Sequence, residues 1–249
     1  MNDLKRRDIS NRYSSHITIL LLIGTILFGI ISWSALWSRS EGTSIPIVVI
    51  SLERISERRE NVKSQLRKTS YTLFDAVDGW NLTESQLELK RRYVYRGTLN
   101  PGQVGCLLSH ILIWKRIARD HIPYTLILED DFKMNETLMI PLLPRLCNIP
   151  SFQIMYVGHC FEKPTGDLVA SIERYEIRKS RAPFCTRGYI ITEKGVRILM
   201  EFLNKHQLGF PVDNLMKHLY EKRLLESLSV FPPLVDVMNF NSSVVQKLY

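Results

Sequence analysis

With 249 residues the chain is long enough for one sizeable domain, and 45% hydrophobic with 23% charged residues excludes disordered, collagen-like and low-complexity classes. The 33 Lys and Arg against 25 Asp and Glu leave a formal charge of +8, which suits an anionic partner: nucleic acid, a membrane surface or a phosphorylated ligand. No nucleic-acid motif or basic-aromatic array is present, so nucleic acid is set aside.

From Ile17 to Trp37 no side chain is charged. A helix over 17–37 would cross about 30 Å of hydrocarbon. The alternative, a cleaved signal peptide, fits less well, because the apolar stretch exceeds the usual core of about 7–15 residues and no small-x-small site follows it. Lys5, Arg6, Arg7 and Arg12 precede the span and only Arg39 closely follows it, which places the N-terminus in the cytosol. The expected organisation is a cytosolic tail (1–16), a transmembrane anchor (17–37) ending in the interfacial Trp33 and Trp37, a stem (38–44) and one folded domain (45–249), a single-pass type II arrangement. Sequons at Asn81, Asn135 and Asn241 lie beyond the span. So do all four cysteines, Cys106, Cys147, Cys160 and Cys185, whose spacings lack Cys-x-x-Cys; four cysteines allow three complete pairings, and the choice is between a single disulfide and buried free thiols.

Along the domain, Ile45–Leu52 is continuous, apolar and β-branched, as in a strand buried on both faces of a parallel sheet. Ser56 is positioned to cap a helix that buries Ile55, Val62 and Leu66. A second strand is expected over Tyr71–Val77. Asn100, Pro101 and Gln103 spell a helix start. The helix to Arg119 carries Val104, Leu107, Leu108, Ile111, Trp114 and Ile117 at a period of about 3.6 residues. Tyr124–Leu128 is another buried strand and stops at Glu129-Asp130-Asp131. Further strands are expected at Phe152–Val157, Glu176–Lys179 and Gly188–Ile191, with helices over 193–205 and 213–224. Alternating strands and helices predict an α/β fold with a mainly parallel sheet and ligands at the strand ends.

Three consecutive carboxylates after a buried strand repel one another unless a cation or solvent relieves them. Their oxygen donors suit Mg²⁺ or Mn²⁺, and the competing reading is a solvated acidic turn. Ser109 and His110 are adjacent on a helix and point about 100° apart, so they form no nucleophile–base pair. Gly-x-Ser-x-Gly, phosphate-loop and dinucleotide motifs are all absent.

The ordered series Ile50-Ser51-Leu52 with Arg58-Arg59, Ala76-Val77-Asp78-Gly79, Gly105-Cys106-x-x-Ser109-His110, Leu128-Glu129-Asp130-Asp131, Thr186-x-x-Tyr189, Pro211-Val212-Asp213 and Phe231-Pro232-Pro233 resembles glycosyltransferase family 25, across about residues 46–236. The resemblance implies a glycosyltransferase A type, Rossmann-like fold and transfer of a sugar, most often galactose, from a UDP-sugar to a glycan or glycoprotein acceptor. It implies a divalent metal, Mn²⁺, on Glu129, Asp130 and Asp131 to neutralise the leaving diphosphate, and donor contacts from Ser51, Arg58, Arg59 and Asp78. Arg58 and Arg59 have a solvated helix face as their alternative. An inverting transfer needs a base, for which Asp213 is the candidate and Asp78 the reserve, although Asp213 also reads as a helix cap. His110 is either a donor orienting substrate or the acidic loop, or a structural histidine. Two departures stand out: the family usually carries Ile-Asn-Leu-Asp where this chain has Ile50-Ser51-Leu52-Glu53, and Glu where it has Gln103. A catalytically silent, membrane-tethered glycan-binding or scaffolding member is therefore the second reading. Acceptor contacts are expected on loops at 80–100 and 160–183. A periplasm holds no nucleotide sugar, so the topology and this chemistry together place the domain in the lumen of the Golgi or endoplasmic reticulum. The C-terminal Gln246–Tyr249 is no retention signal, which favours the Golgi.

Overall fold

The computed structural model describes residues 45–181, 183–238 and 240. The expected span at 17–37 and the sequon at Asn241 lie outside these residues. Among the described residues no helix is long and apolar enough to cross a membrane.

The first strand, β1 (Ile47–Ser51), is buried at every position, as its unbroken apolar run requires. Helix α1 (Ser56–Gln65) follows. Ser56 does not cap it: Ile55 is the capping residue and makes no side-chain cap bond, so Ser56 is the first helical residue. Val62 and Leu66 are buried as expected, while Ile55 is only half-buried. Strand β2 (Thr72–Asp75) is shorter than Tyr71–Val77, because residues 76–79 leave the sheet to pack against a later helix.

Residues 80–100 are not simply a loop. They contain α2 (Glu84–Tyr93), started by a Thr83–Gln86 capping box. Helix α3 (Pro101–Arg119) begins as the sequence indicates, with Asn100 and Gln103 capping each other and Pro101 in the first turn. Strand β3 (Tyr124–Glu129) and the short β4 (Phe132–Met134) flank the acidic turn. Helix α4 (Glu136–Cys147) then forms despite Pro141 and Pro144, with five side chains in the core.

The remaining elements are β5 (Ile154–Cys160), the hairpin β6 (Leu168–Ile172) and β7 (Tyr175–Lys179), β8 (Phe184–Thr192), α5 (Glu193–Lys205), α6 (Val212–Glu221), β9 (Ser227–Phe231) and β10 (Val235–Val237). The span 160–183 is therefore largely a hairpin. A disulfide joins Cys160 to Cys185, tying the end of β5 to the start of β8 across 5.6 Å between Cα atoms. Cys106 and Cys147 are unbridged.

Eight strands form one sheet in the order β2-β1-β3-β8-β5-β9-β7-β6, and β10 pairs antiparallel with β4 alongside it. Within the eight, β8 runs against β3 and β5, and β7 against β9 and β6. The other six strands share one direction, so the sheet is mixed but mainly parallel. Helices cover both faces. Ile47, Val49, Leu126 and Leu128 pack in one cluster with Val62 and Leu66 of α1 and Leu142, Leu143 and Leu146 of α4. The alternate residues Val48, Ile127 and Tyr189 are equally buried on the opposite face, where α3, α5 and α6 lie together.

Candidate active site

The end of β3 and the start of β8 converge with the N-terminal halves of α1, α3 and α6 around a cavity of about 470 Å³. Glu129, Asp131 and Asp213 all line it, together with Arg58, Cys106 and Thr186. A narrower cleft of about 90 Å³ adjoins it, bounded by Leu52, Asp78, Trp80 and Gly105. Arg58, Cys106 and Glu129 border both. This is the strand-end position that an α/β sheet favours for a ligand.

The acidic triplet divides. Backbone leaving a strand turns successive side chains to opposite sides, so Glu129 and Asp131 line the larger cavity while Asp130 borders the narrower cleft. Asp130 is 5% exposed and accepts from Arg58 Nη1 at 2.8 Å; Asp131 lies 3.4 Å from Arg58 Nη2. Arg58 is therefore the resident counter-charge of the turn. Asn61 fastens the same turn from below, donating to the carbonyls of Asp130 and Phe132 at 3.0 and 2.9 Å.

These environments separate the three carboxyls. Burial pushes Asp130 up in spite of Arg58. Burial and the adjacent Glu129 charge push Asp131 up to about 6. Glu129 is half-buried, and the desolvation that this brings is outweighed by His110, a hydrogen bond from Thr186 Oγ1 and the charge of Arg58, which hold it below the usual carboxylate range.

Arg59 is directed elsewhere, pairing with Asp75 at the end of β2 and reaching the Ser51 carbonyl at 3.5 Å. Ser51 is buried at the end of β1. Asp78 sits on the narrower cleft, where the Arg54 guanidinium at 2.7 Å and the Trp80 amide hold its carboxyl below its ordinary value. It is absent from the lining of the cavity that contains Asp213. Asp213 does not cap its helix. Pro211 holds that position, and among the described residues the Asp213 carboxylate accepts only the neighbouring Asn214 amide, at 2.9 Å, leaving the side chain on the cavity wall.

Ser109 and His110 diverge as helix geometry demands. Ser109 Oγ donates to Gly105 O at 2.7 Å and accepts from Val77 N at 2.9 Å, which ties α3 to the 76–79 turn. His110 is fully buried beneath Glu129, with Nδ1 2.7 Å from Tyr189 Oη and Nε2 3.9 Å from Glu129 Oε1. The ligand atoms of Cys106, His110 and Glu129 lie within 4.8 Å of one another, close enough to hold an ion.

Several site residues carry no expectation in the sequence. Arg187, Phe184 and Val237 line the cavity. The chain beyond β10 returns over the acidic turn, where Met238 N donates to Asp131 O at 2.7 Å and the Phe240 ring lies 5.6 Å from the Arg58 guanidinium carbon. The Thr-x-x-Tyr spacing was the available signal for Thr186, whose role emerges only when β8 lies beside β3.

A family model described as "Glycosyltransferase family 25 (LPS biosynthesis protein)" matches residues 44–216. The human protein named "Procollagen galactosyltransferase 2" is 26% identical over 215 residues, covering 76% of this chain and 34% of its own. A "Putative glycosyltransferase" of Haemophilus influenzae is 25% identical over 174 residues, covering 68% of this chain and 61% of its own. The human "Inactive glycosyltransferase 25 family member 3" is 38% identical over 97 residues, 35% of this chain and 16% of its own. The chain thus spans about a third of the length of the procollagen galactosyltransferases it matches.

Proposed function

Because the chain belongs to glycosyltransferase family 25, we propose that it is a glycosyltransferase A type enzyme moving galactose from UDP-galactose to a hydroxyl of a glycan or glycoprotein, with inversion. The observation that carries this reading is the shared cavity of Glu129, Asp131 and Asp213, which brings two carboxylates able to hold a cation together with one that does not occupy the helix-capping position.

A divalent metal fits the donor set. Glu129 and Asp131 offer hard oxygen atoms to the cavity, and the Asp131 carboxyl, raised by burial and by the adjacent Glu129 charge, is one that a cation would relieve. Bound there, Mn²⁺ or Mg²⁺ would neutralise charge on the departing diphosphate. The chain's own residues do the rest. The narrower cleft offers the exposed Trp80 ring as a stacking face for the base and Asp78 as an acceptor for sugar hydroxyls. Arg58, bordering both cavities, adds positive charge between nucleoside and sugar. Asp213 takes the proton from the acceptor hydroxyl as that oxygen attacks the anomeric carbon from the side opposite the diphosphate.

The second reading, a silent member that binds glycans, draws on the likeness to the relative named inactive and on Ser51 and Gln103. Gln103 is occupied in capping α3 through Asn100.

The test is UDP release by the purified full chain in detergent, supplied with UDP-galactose and a panel of other UDP-sugars. Release with Mn²⁺ that stops in excess chelator supports the enzyme. Donor binding without turnover, with acceptor glycans present, favours the silent member.

A further inference from the structure

Tyr189 belongs to the Thr-x-x-Tyr motif, touches neither cavity wall and has no part in the mechanism above. It is nevertheless the hub of a buried polar chain. Trp114 Nε1 donates to its hydroxyl at 3.1 Å, and the same oxygen lies 2.7 Å from His110 Nδ1. All three residues are fully buried. His110 and Trp114 sit one turn apart on α3, while Tyr189 stands opposite Ile127 where β8 pairs with β3.

Counting protons fixes the direction of this chain. An indole N–H only donates, so the Tyr189 oxygen is an acceptor toward Trp114. The phenol proton, kept in place because burial drives the hydroxyl well above its ordinary value, needs an acceptor. His110 Nδ1 is the other described partner, so it accepts. A neutral imidazole with a bare Nδ1 carries its proton on Nε2. Among the described residues that nitrogen has no hydrogen-bond partner, and it faces Glu129 Oε1 at 3.9 Å. The opposite tautomer would leave a phenol proton unsatisfied in the core and aim a lone pair at a carboxylate.

We propose that Tyr189 is a positioning residue: it locks His110 in the Nε2–H tautomer, so that His110 turns an N–H toward Glu129 and favours the orientation in which this carboxylate meets a divalent cation. The inference rests on the reading of Glu129 as part of the cation site. It also assigns the Cys106–His110–Glu129 grouping, because an imidazole in this state offers the grouping a proton where a metal ligand needs a lone pair. Thr186, three residues before Tyr189 on β8, donates to the same Glu129 oxygen, so the motif serves one carboxylate from two directions.

Long-range proton–nitrogen NMR of the full chain, labelled at its six histidines and free of metal and substrate, reads the tautomer directly. His110 is assigned by the signal lost in His110→Gln. The expected result is a protonated Nε2 and a bare Nδ1 in the wild type, with the preference lost in Tyr189→Phe. A protonated Nδ1, or a mixture of tautomers in the wild type, overturns the proposal, and this arm needs no variant to fold and no activity. Mn²⁺ binding, followed by electron paramagnetic resonance without donor, supplies the second arm. His110→Ala should weaken binding about 10- to 100-fold, as loss of an orienting partner does, and His110→Gln, whose amide N–H stands in for Nε2–H, should recover most of it. Equal weakening in both folded variants overturns the proposal. The tautomer found as expected in a chain with no transferase activity would instead count against the proposed function alone.

Discussion

Asp131 and Asp213 share a cavity yet answer to different physics, and each invites a substitution. The Asp131 carboxyl rises to about 6 in the fold. Between about pH 4, where an unfolded aspartate titrates, and pH 6 the native state therefore holds a proton that the unfolded chain has released, so stability falls as pH rises through that window. At neutral pH the ionised group opposes folding by an amount of the order of 1–3 kcal/mol. Asp131→Asn should raise Tm at pH 7 in chelator, lose that advantage below pH 4 and weaken Mn²⁺ binding; melting curves at both pH values decide, and an unchanged Tm at pH 7 rejects burial as the cause. For Asp213 the expectation concerns rate. Asp213→Asn keeps the size of the side chain and removes the proton acceptor, so kcat should fall about 10²- to 10⁴-fold with Tm and UDP-sugar affinity nearly unchanged. Retention of a third of wild-type kcat would move the base to Asp78, on the adjoining cleft.

Among the elements, the contact between α3 and the 76–79 turn governs how the narrower cleft meets the main cavity. A Cβ on Gly105 would lie 2.4 Å from Val77 O and 2.9 Å from Gly79 N, backbone atoms that cannot swing aside. Gly105→Ala should therefore cost about 1–3 kcal/mol in urea unfolding and lower donor affinity, whereas Gly209→Ala, whose nearest neighbours stand at 3.6 Å or more, serves as a mild control. Equal midpoints for the two would show that the turn yields. The start of α3 was legible from Asn100, Pro101 and Gln103 because capping is a local bargain struck within four residues. The Thr83–Gln86 box is the same kind of local signal and starts α2 inside the span 80–100 expected to be loop. Pro141 and Pro144 concealed α4, whose Met139, Leu142, Leu143 and Leu146 are held by the core in spite of two missing amide donors. Strand β9 alternates serine with larger side chains, a pattern that suggests a half-exposed strand, yet every residue is buried: Leu228 and Val230 join the core cluster while Ser229 on the other face is hydrogen-bonded to Ser180.

At the scale of the whole molecule, the basic residues before Ile17 predict a cytosolic N-terminus and a lumenal domain. Protease treatment of sealed microsomes carrying a C-terminal epitope is the check: the epitope should survive until detergent is added, and its digestion in intact vesicles would reverse the topology and remove the argument for the Golgi. Glycosidase sensitivity adds an independent reading, because Asn81 and Asn135 are both exposed and open to glycan addition in a lumen.

What could be read from the order of residues was whatever depends on neighbours along the chain: the buried run of β1, the period of α3, the abrupt end of β3 in three carboxylates, and motif spacing specific enough to indicate the family. Folding alone decided which of those carboxylates share a cavity. Asp130 went to Arg58, 72 residues away in sequence, while Asp131 and Glu129 met Asp213 from α6. It also set Tyr189 beneath His110 and joined Cys160 to Cys185, pairings separated by 79 and 25 residues. The reason is physical: a strand or a cap is stabilised by groups a few residues apart, whereas the charge state of a buried carboxyl depends on every charge and donor that the fold packs around it, wherever in the chain each arises.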